Sequence, residues 1–162
     1  MPKTMISFAI DDYRYNLRAA AIILNSGRVL LHQIEGDAFW CVPGGRVDAG
    51  ESAAATIVRE MQEELSEQVI CEKLLWTVEN FFAYRGQKHH ELGLYFLSHL
   101  HPDSRLLNTL GPYWGNEGHL QLRFEWFSLP DLGNIDIRPS FLVNALNAEQ
   151  FNLPHWVHHE IE

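Results

Sequence analysis

The run P-G-G-R-V-D-A-G-E-S-A-A-A-T-I-V-R-E-M-Q-E-E-L-S-E, from Pro43 to Glu67, decides how the rest of the chain is read. Arg59, Glu60, Glu63, Glu64 and Glu67 crowd into its last nine residues. At ~3.6 residues per turn, Glu60, Glu63 and Glu64 share one side of a helix, and Glu67 follows one turn on. Ala54, Val58, Met61 and Leu65 fall opposite them, with the spacing of a buried stripe. The expectation is a helix docked on a core, with a column of carboxylates turned outward. Like charges three or four apart cost a helix ~0.2–0.5 kcal/mol per pair. Arg59, four residues before Glu63, is the helix's own means of offsetting them. A divalent cation would remove the conflict.

A solvated charged face is ordinary on an amphipathic helix, so the lead-in carries the distinction. Pro43 is followed by Gly44-Gly45, and Gly50-Glu51-Ser52 precedes the helix, with Ser52 placed as its N-cap. Paired glycines let backbone approach a ligand closely and turn carbonyls or amides toward it. Loop and helix together read as a holder for metal and phosphate.

The pattern G-x5-E-x7-R-E-U-x-E-E, with U a bulky apolar residue, is met by Gly45, Glu51, Arg59, Glu60, Met61, Glu63 and Glu64 in register. In this the stretch resembles the Nudix box. Ser66 stands where that family has glycine and Glu67 where it has an apolar residue, so the helix exit is predicted to differ locally. The resemblance implies an α/β Nudix fold, a mixed β-sheet sandwiched between helices. It implies hydrolysis of a nucleoside diphosphate linked to another moiety, by water attacking phosphorus with Mg2+ or Mn2+ bound. By the same resemblance Glu60, Glu63, Glu64 and the backbone oxygen of Gly44 are metal ligands, with Glu60 and Glu64 the catalytic pair. Hard cations prefer such oxygen donors. Gly45, Glu51 and Arg59 are then structural, Arg59 orienting a glutamate and Glu51 bracing the loop.

With 162 residues, the chain has the length of one domain with its own core, and 1–162 is read as a single unit. A composition 46% hydrophobic and 20% charged is that of a soluble globular protein. The net charge of −9 argues against binding a nucleic-acid polymer, which wants a basic face. It is compatible with a phosphate-bearing small molecule, since bound cations reverse the local sign. Cys41 and Cys71 lack metal or redox spacing and read as reduced thiols of a cytoplasmic protein. No run suits a signal peptide or a membrane span. The family resemblance leaves room for a homodimer.

Met5 to Ile10 reads as a strand, Tyr13 to Leu24 as a strand buried on both faces, and Asn25-Ser26-Gly27 as a hairpin returning along Arg28 to Gln33. Phe39 to Val42 reads as a short strand delivering the box. Val69 to Trp76, Val78 to Tyr84 and His90 to His99 read as β-structure, and Leu106 to Leu122 as a long irregular loop. Phe124 to Leu129 is taken as the last strand, and Pro139 to Asn147 as a helix with Phe141, Leu142, Ala145 and Leu146 inward. The tail from Phe151 receives no assignment, and its histidines, His155, His158 and His159, read as polar tail rather than zinc ligands.

Outside the box, Glu117 lies in W-G-N-E-G-H, which resembles the W-G-K-E-G-Q loop of MutT-type pyrophosphohydrolases. That resemblance makes it a third catalytic candidate, the general base. Glu91, beside His89 and His90, is its rival and a substrate-binding candidate. Arg18 is a candidate for phosphate, which a guanidinium forks onto, with a surface salt bridge as the alternative. Phe81, Phe82, Tyr84 and Trp114 could stack a base, and Phe82 is the substrate-binding candidate among them. A non-catalytic nucleotide-binding regulator on the same fold is the second reading. A prenyl diphosphate isomerase is the third, and neither cysteine is marked as its catalytic thiol.

Overall fold

The computed structural model describes residues 4–148 and 154–160. Its centre is the apolar run the sequence marks out. Tyr13–Asn25 forms strand β2, in which Ala19 to Ile23 are fully enclosed. Such a run tolerates burial on both faces because nothing polar but its backbone needs a partner, and neighbouring strands supply those. Before it lies β1 (Ser7–Ile10), antiparallel to β2. After it, the turn at Ser26-Gly27 leads into β3 (Arg28–Ile34). β4 (Gly44–Arg46), helix α1 (Ala53–Leu65), β5 (Val69–Tyr84) and β6 (Gln87–Leu100) follow. Then come β7 (Tyr113–Glu117), β8 (Leu120–Ser128), helix α2 (Phe141–Asn147) and β9 (His155–His159).

The strands run in the order β7-β8-β3-β2-β6-β5-β9, with β1 and β4 also on β2. β2 pairs β6 in parallel, β5 pairs β9 in parallel, and the other pairs are antiparallel. The sheet is therefore mixed. One core cluster joins alternate β2 residues Ala19, Ala21 and Ile23 to Ile57, Met61 and Leu65 of α1. The other joins Ala20 and Ile22 to Phe141, Leu142, Ala145 and Leu146 of α2. A helix on each face is the expected α/β/α sandwich.

Several expectations are corrected. Phe39 to Val42 is not a strand: Trp40 bridges Ile137 and Cys41 bridges His32, one contact each, because this segment crosses a gap instead of following a neighbour. Val69 to Tyr84 is one strand with irregularities at Cys71/Lys73 and Leu74/Trp76, not two. The stretch Leu106 to Leu122 is largely ordered by pairing. A 3-10 turn at Arg105–Leu107 precedes a β7–β8 hairpin, so the strand expected from Phe124 begins at Leu120. The tail histidines belong to β9, which adds a strand to β5; Phe151 lies outside the described residues.

Helix α1 starts where expected: the Ser52 side chain accepts a hydrogen bond from the Ala55 N–H. Its docked face is rotated by one residue from the expectation. Ile57 is enclosed, while Val58 is 44% exposed. The buried set Ile57, Met61, Glu64 and Leu65 obeys the same helical period, so the rotation carries Glu64 inward. The exit also departs from expectation. Ser66 adopts the left-handed conformation (φ 57°), and its N–H bonds the Gln62 carbonyl, closing the helix as a glycine would. Glu67 is buried, accepts from Ser104 Oγ at 2.7 Å and pairs with Arg105 at 3.3 Å. That partnership explains a carboxylate where an apolar residue was expected.

Candidate active site

β2 and β3 pair in register only at Leu24–Asn25 and Arg28–Val29, and then diverge. β4 occupies the vacated edge of β2, with Gly45 opposite Ala19 and Gly44 opposite Ala20. The divergence opens a cleft of about 340 Å³. Its walls include Arg18, Gly44, Gly45, Glu60, Phe82, Glu91 and Glu117, which the sequence had scattered over a hundred positions. Glu63 and Glu64 are not on its lining: Glu64 lies behind it, and the Glu63 side chain is 60% exposed, paired with Arg59 at 3.2 Å. The expected outward column is thus split. Glu60 and Glu64 turn in, Glu63 turns out, and Glu67 serves the loop beyond the helix.

Backbone proximity holds the inward pair. A Cβ at Gly44 would overlap the Ala19 carbonyl oxygen, and one at Gly45 would overlap the carboxyl of Glu60. Glycine is needed there so that β4 can lie between β2 and the helix. Arg59 braces the same corner. It donates to Glu51 from Nε (2.9 Å) and Nη2 (3.0 Å), to Glu60 from Nη1 (2.8 Å), and to the Arg46 carbonyl (3.3 Å). Glu51 also accepts from Thr56 Oγ1. These bonds, Arg59 first, hold the Glu51 carboxyl down at about 2. Arg59 thus ties Glu51, at the end of the loop, to Glu60 on the helix.

Glu64 is 5% exposed and its Oε2 has no hydrogen-bond partner among the described residues. Burial first, then the charges of Glu60 and Glu117, push its carboxyl up to about 9. Burial also raises Glu60, against the opposing charge of Arg59, and a hydrogen bond links the Glu60 and Glu64 carboxyls. Two carboxyls withdrawn from water, one with an orphaned oxygen, suit a cation that would pair with both. Glu117, at the end of β7 where Gly118 turns the hairpin, is exposed and faces the same cleft. Among the described residues no three His, Cys, Asp or Glu side chains already converge tightly enough to enclose an ion. Glu60, Glu64 and the Gly44 backbone are the groups that could hold one, with Glu117 at the mouth of the cleft as a further donor.

Arg18 donates from Nη2 to the Val42 carbonyl at 2.9 Å. Its charge faces Glu91 and Glu64, so the surface salt bridge considered for it is not its setting. Phe82 stacks on His89, with ring centroids 4.7 Å apart. Tyr84 lines the cleft too and donates from its hydroxyl to Asp37 at 2.8 Å. Phe81 packs instead on His90 and His159, and Trp114 is 52% exposed off the cleft. Sequence reasoning missed Asn16, His32, Arg46 and Asn80 on the lining. The available signal was alternation: Asn80 occupies an inward position between Val78 and Phe82.

His32 is buried, its Nδ1 has no partner among the described residues, and burial followed by the charge of Arg18 lowers it to about 3. A lowered folded value means that between pH ~6.5 and 3 the unfolded chain binds more protons, so stability falls with acidification across that window. The full effect is up to ~5 kcal/mol. His32→Gln is expected to flatten this acid limb in urea titrations. A limb of wild-type steepness would show that His32 is not the group responsible.

The comparisons with known proteins agree with this geometry. The fold resembles that of a MutT NUDIX hydrolase from Burkholderia pseudomallei, with TM-score 0.58, 24% identity, and coverage of 83% of this chain and 98% of that one. An ADP-ribose pyrophosphatase from Streptococcus suis 89-1591 gives TM-score 0.56 at 18% identity, covering 88% and 98%. In sequence, the chain is 47% identical over 51 residues to a Bacillus subtilis (strain 168) protein named "Putative 8-oxo-dGTP diphosphatase". That match spans 31% of this chain and 34% of the relative. The profile of the NUDIX domain matches residues 14–145. The chain belongs to the NUDIX family.

Proposed function

We propose that this chain is a metal-dependent pyrophosphohydrolase that cleaves a nucleoside diphosphate linked to another moiety, water attacking phosphorus. The observation that carries this reading is Glu64, buried beside the cleft-lining Glu60 with an oxygen that has no partner among the described residues. A diphosphate repels an incoming nucleophile, and bound Mg2+ or Mn2+ would neutralise it and lower the pKa of a bound water. Glu60, Glu64 and the Gly44 carbonyl would hold the ion. Arg59 keeps Glu60 oriented through its 2.8 Å bond. Arg18 is placed to take phosphate oxygens. Glu117, on a strand end at the cleft mouth, is the group we assign to accepting the proton of the attacking water. Glu63 could join the ions only from the solvent side, after leaving Arg59.

The reading is consistent with a single unit working in the cytoplasm; no helix among the described residues is long and apolar enough to cross a membrane. The test is a panel of nucleoside triphosphates, ADP-ribose, nucleotide sugars and dinucleoside polyphosphates with Mg2+ and with EDTA. Turnover on at least one, abolished by EDTA, is expected. Glu117→Gln is expected to lower kcat ~10²–10⁴-fold, the range of general base catalysis. Nucleotide binding without any product would favour the regulator reading instead.

A further inference from the structure

Four polar side chains lie side by side on the face of the central sheet that floors the cleft. The register across β2, β6 and β5 places Asn16, Glu91 and Asn80 in one row, and His89 beside Phe82 in the next. Asn16, Asn80, His89 and Glu91 are each at most 8% exposed. Polar groups in the middle of a sheet are costly unless every one finds a partner. The row is set apart from the carboxylates of α1. Gly45, which carries Glu60 against it, pairs with one edge of β2, whereas Glu91 and Asn80 lie on strands beyond the other edge.

Part of the row is internally satisfied. Asn16 Oδ1 accepts from Ser7 Oγ at 2.8 Å, and Asn16 Nδ2 lies 3.0 Å from His89 Nδ1. Donation by the amide there makes His89 the neutral tautomer with its proton on Nε2. Asn16 stands directly opposite Glu91 in the register of β2 and β6. Asn80 is different: its Oδ1 is buried and has no partner among the described residues. The row thus leaves two acceptors open toward the cleft, the Glu91 carboxylate and the Asn80 oxygen. Next to them the Phe82 ring lies within 3° of parallel to His89, presenting a flat apolar surface.

A ligand that completes this site must be planar and carry adjacent donors on one edge. Guanine has that edge in N1–H and N2–H2. Adenine sets an acceptor beside its amino group, and uracil flanks one N–H with two carbonyls. Sugar hydroxyls are donors without a plane to lay against Phe82. We propose that the Asn16–Glu91–Asn80 row is a base-reading subsite that selects guanine nucleotides, Glu91 and Asn80 accepting from the base edge and Phe82 covering its face. The proposal rests on the phosphohydrolase reading only for the placing of the phosphates.

The experiment is calorimetric titration of the full chain with GMP, IMP, AMP and UMP in EDTA, where neither metal nor hydrolysis contributes. The expected order is GMP, then IMP, then AMP and UMP, with GMP ahead of AMP by roughly tenfold or more, as a bidentate edge contact gives. Glu91→Gln keeps the shape but replaces an acceptor oxygen by a donor. It is expected to bring GMP and AMP together while thermal unfolding stays cooperative. Phe82→Leu is expected to weaken all four roughly equally. Equal wild-type affinities, no binding of any nucleotide at millimolar concentration, or an unchanged preference in Glu91→Gln would each overturn the proposal. Guanine preference in EDTA with no turnover on any diphosphate would uphold the subsite and sink the hydrolase reading.

Discussion

Glu64→Gln is expected to lower kcat by roughly 10³-fold, about 4 kcal/mol of transition-state stabilisation. The side chain keeps its shape but loses the charge that would balance a cation beside Glu60. The fold is expected to survive, because burial already favours the neutral form of this carboxyl when no cation is present. A neutral amide in its place leaves the melting temperature the same or higher. Loss of turnover should therefore come together with weaker Mn2+ binding, measured by calorimetry, and with an intact melting transition. Full activity in this variant would remove Glu64 from the chemistry and with it the main support for the proposed function.

Gly115→Ala is expected to destabilise the protein by ~3 kcal/mol, the upper part of the range for overpacking. For a chain of this length that is a fall in Tm of roughly 6–12 °C. A Cβ at Gly115 would overlap the carbonyl oxygen of Glu64, so β7 and the last turn of α1 would have to separate. Backbone against backbone has no rotamer by which to escape. The same displacement would move Glu117, two residues along β7, away from Glu64, so kcat should fall with stability. Gly118→Ala is the control. Gly118 sits at φ 59° with nothing near its missing Cβ, so only the conformational cost of ~1–2 kcal/mol applies. Equal melting of Gly115→Ala and wild type would disprove the close packing of β7 on the helix.

Much of the fold is legible before any coordinates. The doubly buried strand around Ala19 to Ile23, the Asn25-Ser26-Gly27 hairpin and the capped helix after Ser52 each rest on local chemistry: side-chain period, turn residues and a capping hydroxyl. Legibility fails where a segment's state depends on a partner distant in sequence. The β7–β8 hairpin is built around Trp114-Gly115-Asn116, residues that read equally well as a loop until α1 is there to pack against. β9 exists because β5 offers an edge to it. Phe39 to Val42 has strand composition but no neighbour to pair with along its length.

The site divides along the same line. The stretch from Gly45 to Glu64 by itself carried the resemblance to the family and put the carboxylates and the glycine loop that approaches them in one place, because all lie within one turn-and-helix unit whose geometry is local. It could not determine which carboxylates face inward. That depends on the rotation of α1 about its axis, set by whether Ile57 or Val58 finds the core, and a shift of one residue (~100°) separates a solvated column from a buried pair. Nor could spacing bring Asn16, Asn80 and Glu91 together. Their adjacency is a matter of strand register across β2, β6 and β5, and register is decided by the whole sheet at once. Local sequence placed the carboxylates on a helix, and tertiary packing chose the two that turn inward and opened the cleft that one of them lines.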